Sequence, residues 1–508
     1  MTNTHSLRRG STRLVTALGI AVVLALAACG EDFIDRSPLN NYTISNFYET
    51  PGQITEAVNA LYGGIRGDYT GMLWQLGEFR SDNTTFQLNT RDRGALATEE
   101  IDYFLSNSAM GPAGALWNGS YSNIARANLL LDRIGEVDFA GEEDLRNQRE
   151  AEARFVRAFL YWQLTRNFGD VVLILEPEFD EATLLTFQRE PVDRIYDEAI
   201  LPDLAFAIDN LPAAYPDAER GRATQGAAQM LLAKAHFTRR DYASAKPLLD
   251  SIVASGVYRL FPDYRGLFDP INEGNAELIF TGEYSVAAGQ GAGWMINWLP
   301  LGTANQLTGG GTAPAVGPRA GFNLPTCDLV EAYEDGDRRF DASIGIFVDG
   351  GDTIYYNRKF LFPPLPSDTD FPIFRYGEVL LMQAEAALIV DGDAGLNQAI
   401  TNVNRLRARA GLGLVFPGNP NPDLDVRDAA GGIELVRRER RVELALEHKR
   451  WYDLVRYGNV EEVMRAHGEQ QRQKQGFVDS SAYRNIPTLY PIPNGQVVQY
   501  GYRQNPGY

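Results

Sequence analysis

The sequence predicts a mainly α protein built on tetratricopeptide-like helical pairs, with a loop-rich region set between them. Two pairs and one composition shift carry that prediction. Thr224 heads a segment with Ala228, Leu231, Leu232 and Ala235 at helical spacing, and after Arg239-Arg240-Asp241 a second segment carries Tyr242, Ala245, Leu248, Leu249 and Ile252. Small residues where two helices approach, joined by a tight turn, are what such pairs need. A similar pair spans 375–411, with Leu381, Ala384, Glu385 and Leu388, a turn at Asp391-Gly392-Asp393, then Leu396, Ala399, Ile400, Val403 and Leu406. Between the pairs, 256–374 is rich in Gly, Pro and aromatic residues, and long irregular stretches of a folded chain are usually functional or disordered.

The elements follow in chain order. Arg8, Arg9 and Arg13 precede an apolar run over 14–28 that ends Leu26-Ala27-Ala28-Cys29. A basic start, a short apolar core and small residues before a cut describe a secretory leader over 1–28. The run is shorter than the ~20 residues that span a bilayer, which disfavours a permanent membrane helix. The final four residues resemble the lipobox of bacterial lipoproteins, which makes Cys29 the lipidated first residue of the mature chain; an ordinary cleaved leader is the alternative. Residues 29–46 are polar, broken by Pro38, and read as a tether. The body is expected over 47–508: helical pairs in 47–255, the loop-rich region in 256–374 and a C-terminal part in 375–508.

Within the body, Thr50-Pro51 is an N-cap followed by proline at the first helical position, and Ile54, Val58, Leu61 and Ile65 make one apolar stripe. Gly63, Gly64 and Gly67 are expected to end that helix. A long helix is predicted over 142–167, with Phe155, Ala158, Phe159 and Trp162 at helical spacing, and another over 192–211 with Ile195, Ala199, Ile200, Leu204 and Ile208 inward.

Composition excludes several classes. The chain carries 47 basic and 66 acidic residues, and the leader holds three of the basic ones and none of the acidic, so the mature charge is 44 − 66 = −22. Nucleic acid, whose phosphates demand a basic face, is disfavoured as a partner. Cys29 and Cys327 are the two cysteines, so a lipidated Cys29 leaves no disulfide framework. No HExxH, paired CxxC, GxxxxGK[ST] or GxSxG string is present. Gly289-Gln290-Gly291-Ala292-Gly293 lacks the flanking strand and helix of a phosphate loop, and Asp391-Gly392-Asp393 is a turn rather than a calcium loop. No metal and no cofactor are expected.

The densest constellation is Glu439-Arg440-Arg441-Val442-Glu443-Leu444-Ala445-Leu446-Glu447-His448-Lys449-Arg450-Trp451-Tyr452-Asp453-Leu454-Val455-Arg456. As one helix it puts Arg440, Glu443, Glu447 and Arg450 in a stripe of alternating sign. Paired carboxylates can serve as acid and base. Here each Glu has an Arg one turn away that keeps it ionised, whereas a catalytic acid wants a raised pKa, so the structural reading is preferred.

This segment resembles the C-terminal signature of the RagB/SusD family of outer-membrane nutrient-binding lipoproteins. So do Arg154-Phe155-Val156-Arg157-Ala158-Phe159-Leu160-Tyr161 with Phe168-Gly169-Asp170, Gly221-Arg222-Ala223-Thr224, Glu277-Leu278-Ile279-Phe280, the stretch from Arg375-Tyr376-Gly377-Glu378 to Ala386, Tyr490-Pro491-Ile492-Pro493 and the terminal Gln504-Asn505-Pro506-Gly507-Tyr508. The motifs run in family order over essentially the whole mature chain. Val171-Val172, where the family often has Val-Pro, and His448, where it often has Gly, depart from the pattern.

The resemblance implies a SusD-like fold tethered by lipid to the outer leaflet of the outer membrane. It also implies capture of an oligosaccharide or polysaccharide, or in some members a peptide, for a SusC-like TonB-dependent transporter, and a binding protein rather than an enzyme. A helical glycoside hydrolase and an assembly scaffold are the alternatives from other classes. Arg440, Glu443, Glu447, Arg450 and Asp453 are expected to be structural. For the ligand, Trp117, Trp162 and Trp451 lie within helical patterns and are assigned to the core, while Trp74, Trp294 and Trp298 lie in less regular segments, where an exposed flat ring offers a sugar a stacking face. Asp82 and Asn83, with Arg91 and Asp92 as weaker companions, add polar atoms. The ligand face is therefore expected over 71–93 and 283–306.

Overall fold

A computed structural model describes residues 47–89, 96–178, 180–475 and 479–508. The leader, Cys29, the tether, Arg91 and Asp92 lie outside the described residues. The fold is mainly α. None of the described helices is long and apolar enough to cross a membrane.

Helix α1 (Pro51–Asp68) starts as the sequence predicts, with the Thr50 hydroxyl accepting from Gln53 N at 3.3 Å and the Gln53 side chain accepting from Thr50 N at 3.1 Å. Its glycines do not end it. A Cβ on Gly64 would lie 2.5 Å from the Asn123 side-chain nitrogen of α2 (Gly111–Arg133), so this glycine lets two helices touch while Asn123 donates to Leu61 O at 2.9 Å. The chain continues as wide turns over Tyr69–Leu73 and Gln75–Phe79, so residues 71–79 are helical, not loop.

Helix α3 (Glu143–Phe168) is the axis of this half, packed by α1, α2 and α4 (Leu201–Asn210), with Phe155, Phe159 and Trp162 buried. It stops at Gly169, whose φ of 73° suits a residue without Cβ. The helix expected over 192–211 runs without a gap from Val192 to Asn210, loosened to a wide turn at Tyr196–Ile200 before α4. Pro202, which has no N–H to donate, stands at the start of α4.

Both predicted pairs form. Thr224 caps α5 (Gln225–Thr238) and Asp241 caps α6 (Tyr242–Ala254); α7 (Tyr376–Asp391) and α8 (Leu396–Ala410) make the second pair, and α6 packs directly on α7. The two pairs thus join into one scaffold. The region 256–374 holds more order than its composition predicts. Strand β1 (Leu278–Gly282) pairs antiparallel with β4 (Phe371–Arg375), and β2 (Ile344–Asp349) with β3 (Asp352–Asn357), turning at Gly350-Gly351 with φ of 59° and 98°.

The C-terminal signature is not one helix. Helix α9 (Ala429–Glu443) ends, Leu446 and His448 adopt φ of 68° and 60°, and α10 (Arg450–Tyr457) starts afresh, followed by α11 (Val460–Gln475) and α12 (Asn494–Tyr500). One apolar core runs from Ile54 to Tyr502, with a small satellite under α9.

Candidate ligand-binding face

The structure brings together two segments of the expected face. Thr84–Thr85 pairs antiparallel with Leu324–Pro325; Gln87 N donates to Gly321 O at 2.8 Å, Leu301 N to Gln87 Oε1 at 2.8 Å, and Asn89 Nδ2 to Pro318 O at 2.9 Å. The turn Trp294–Trp298 leads straight into this seam, since Gly321 N donates to Leu299 O.

The tryptophans beneath it are a correction to the expected platform. Trp298 is 1% exposed and Trp74 8%, so neither offers a ring face to a ligand. Trp298 sits edge-on to Trp294 at 4.8 Å and to Trp74 at 5.8 Å, and Trp294 continues to Phe360 and Phe371. They form a packed aromatic floor because their segments face inward under Gly- and Pro-rich loops that carry little apolar bulk of their own. Trp294 is half-buried, with its indole N–H shut away from solvent, and its ring lies 6.2 Å from that of the half-buried Tyr284. Trp117, Trp162 and Trp451 are in the core as expected.

Asp82 and Asn83 are buried as well. Arg450 holds Asp82 through two bonds of 2.7 and 2.8 Å and Arg441 pairs with it at 2.9 Å, while Asn83 donates to Glu78 Oε1 and accepts from Arg441 Nε, both at 2.9 Å. Their polar atoms lock α9 and α10 to the end of the α1 run and are not offered to solvent.

The expected ion-pair stripe is replaced by longer-range pairs. Glu443 accepts from Arg375 at 2.6 Å and Arg339 at 3.1 Å and also pairs with Arg409; Glu447 accepts from Arg375 at 2.8 Å and Lys359 at 2.9 Å. Arg440 instead meets Asp453 at 2.8 Å and Glu378 at 3.0 Å. Burial opposes the ionisation of Glu443, and Arg409, Arg375 and Arg339 overcome it, holding the carboxyl below its ordinary range. Glu447 is held down the same way, chiefly by Arg375 and Lys359. Carboxylates pinned like this have no proton to give, and the break after Glu443 is what lets both reach inward.

An open cleft of about 460 Å³ lies beside the 283–290 stretch, lined among others by Asn59, Tyr62, Arg66, Arg222, Glu283 and Gln290. Arg66 ties it to the aromatic floor: its guanidinium stands 5.2 Å over the Tyr284 ring and donates to Glu283 O at 3.1 Å. A hydroxyl-bearing ligand would meet amides, guanidinium groups and carboxylates here, with Tyr62 and Phe280 in the wall and Tyr284 behind Arg66. The cleft takes Glu283 and Gln290 from the expected 283–306 stretch, while Asn59, Arg66 and Arg222 sit on α1 and before α5 and carry no local sequence signal for a cleft. A second open cavity of about 410 Å³ exposes Tyr121, Phe187 and Tyr500 beside Asn118, Glu176 and Gln496. The spacing of Tyr500 and Tyr502, whose rings stack at 5.3 Å, was its one sequence signal.

Comparison with known proteins places this architecture. Residues 348–508 match the model of the SusD family, and residues 32–237 match a second model described as starch-binding associating with outer membrane. SusD-like protein P2 of Formosa agariphila is 27% identical, over 96% of this chain and 98% of its own. The crystal structure of a SusD superfamily protein from Parabacteroides distasonis superposes with a TM-score of 0.72 at 25% identity, covering 89% of this chain and 99% of that one. Surface glycan-binding protein A from Bacteroides uniformis shares the fold with a TM-score of 0.72 at 24% identity, over 90% and 99% of the two chains. With family models matching both ends, and the fold and the C-terminal signature in place, the chain belongs to the RagB/SusD family.

Proposed function

We propose that this protein captures an oligosaccharide or polysaccharide at the cell surface and delivers it to a SusC-like TonB-dependent transporter, anchored in the outer membrane by lipid on Cys29. The match to a starch-binding, outer-membrane-associated family supports the ligand class and the compartment. The family is one of binding proteins, and the pinned Glu443 and Glu447 argue against using the signature carboxylates as acid and base. The transporter and the lipid rest on the family resemblance and on the Leu26-Ala27-Ala28-Cys29 string.

The observation that carries the reading is the cleft, with Tyr62 and Phe280 in its wall and Tyr284 held beside it through Arg66. Sugar capture needs aromatic edges for ring faces and fixed polar groups for hydroxyls, in a pocket of roughly 300–1,000 Å³. This cleft supplies both at about 460 Å³. A glycan array on the mature chain identifies the ligand. Trp294→Ala is then expected to cost ~2 kcal/mol, at least tenfold in affinity, with folding retained. Unchanged binding by Trp294→Ala and Arg66→Ala, with loss in Tyr500→Ala, would move the site to the second cavity. Binding of peptides and of no glycan would select the peptide-capturing alternative. Cys29→Ala is expected to abolish incorporation of labelled lipid and stable membrane attachment, since several acyl chains, at ~0.8 kcal/mol per buried CH₂, supply the stable anchoring that a single chain does not.

A further inference from the structure

A third cavity, of about 410 Å³, opens between α3, α5 and α10, away from the capture cleft. Its walls are largely apolar, with Trp162, Phe237, Tyr452 and Leu489 among them. Six cationic side chains border it: Arg166, Lys234, Arg240, Arg440, Lys449 and Arg456.

Four of these have carboxylates. Glu378 meets Lys234, Arg440 at 3.0 Å and Lys449 at 3.4 Å; Glu385 meets Arg456; Asp453 meets Arg440 at 2.8 Å and Arg456 at 3.3 Å. The other two, Arg166 and Arg240, have no carboxylate at ion-pair distance among the described residues. The Arg166 guanidinium carbon lies 3.9 Å from the Trp162 ring centroid and 3.6 Å from that of Tyr452, and its Nε donates to the neutral Gln163 at 2.7 Å. The exposed Arg240 donates from its side chain to Val455 O at 3.5 Å and to no other acceptor among the described residues. At the wall, Arg440 is 4% exposed and its Nη1 has no hydrogen-bond partner among the described residues.

A buried cationic N–H without an acceptor is costly, and an incoming anion supplies the acceptor. The chain's net charge of −19 does not cancel this local field, because exposed charges beyond ~8 Å are screened at physiological salt. We propose that this cavity binds a small carboxylate carried on a compact, planar apolar ring, its oxygens toward Arg166, Arg240 and Arg440 and its ring against the half-buried Tyr452, Val455 and Leu489.

The test is isothermal titration of the mature chain at constant ionic strength with sodium benzoate, neutral benzamide, sodium glucuronate and sodium sulfate. Saturable benzoate binding is expected, with benzamide at least tenfold weaker and glucuronate and sulfate both weaker than benzoate. Arg166→Gln and Arg240→Gln are each expected to weaken benzoate at least tenfold, and Arg427→Gln, on an exposed surface, to leave it unchanged. If Arg166→Gln does not fold, Arg240→Gln carries the same test. Equal affinity for benzamide and benzoate, tighter binding of glucuronate or sulfate, or no saturable binding overturns the proposal. Glycan affinity is expected to be unaffected in the same variants, so this proposal and the capture reading fail separately.

Discussion

Glu443 and Arg375 show how much of this fold rests on charges removed from water. Both side chains are 0% exposed, and Arg375 donates to Glu277, Glu443 and Glu447 while Glu443 also serves Arg339 and Arg409. A buried pair is weak evidence of net stabilisation, but removing one partner leaves the others uncompensated at a cost of ~3–5 kcal/mol. Glu443→Gln is accordingly expected to lower the denaturation midpoint by that order, through Arg339, Arg375 and Arg409 rather than Arg440. Glycan affinity measured below the unfolding transition should not change, because none of these residues lines the capture cleft. Trp298 belongs to the same class of effect. Truncating a buried aromatic costs ~3–5 kcal/mol, so Trp298→Ala should lose stability and, where it still folds, keep its ligand. Selective loss of binding by a fully stable Trp298→Ala protein would contradict its place in the floor.

Elements formed from strictly local signals were legible, and those fixed by distant partners were not. The N-cap at Thr50, the cap at Thr224 and the apolar stripes of α5 to α8 each lie within one or two turns of sequence, and each formed where expected. The 439–456 stretch has an equally regular helical pattern, yet it breaks, because the partners of Glu443 and Glu447 are at 339, 359, 375 and 409. No spacing within the stretch contains that information. The same holds for Asp82, whose partners are more than 350 residues away, and for the cleft, assembled from α1, the turn before α5 and the loop after β1. Glycine was ambiguous in a further way: it reads as a terminator, but Gly64 is a contact point. Gly395 is another. It stands in the turn between α7 and α8, and a Cβ there would lie 2.3 Å from Ala387 O, a backbone atom that cannot swing aside. Overpacking of this kind costs ~1–3 kcal/mol. Gly395→Ala should therefore lower the melting temperature, whereas Gly63→Ala, which meets nothing within 4 Å, should be neutral or stabilising in the helix.

At the scale of the whole molecule, the same burial that fixes the fold sets its response to pH. Two sets of carboxyl groups oppose each other. Glu443, Glu447, Asp82 and Asp453 are all held below their ordinary range by arginines that outweigh burial, so their contribution is present above the unfolded pKa of ~4 and is lost as pH falls through the lower folded values. Asp68, Asp102 and Asp370 go the other way. Burial pushes Asp102 up to about 6 and Asp68 to about 7, and burial with the nearby Glu283 pushes Asp370 to about 8. For these the folded chain binds more protons than the unfolded one, so stability is fully present below the unfolded value and declines as pH rises through the folded ones. Buried Lys234, lowered to about 7, and Lys359, lowered to about 8, add stability again as pH climbs from those values toward the ordinary range of lysine. The predicted curve has its maximum at mildly acidic pH, falls steeply below ~4, declines across the neutral range and flattens on the alkaline side. Denaturant midpoints measured from pH 3 to 9 check the shape. Asp68→Asn should remove part of the neutral-range decline while leaving the acid limb intact, because burial is what shifts the Asp68 carboxyl; an unchanged slope between pH 5 and 8 in that variant would assign the decline elsewhere.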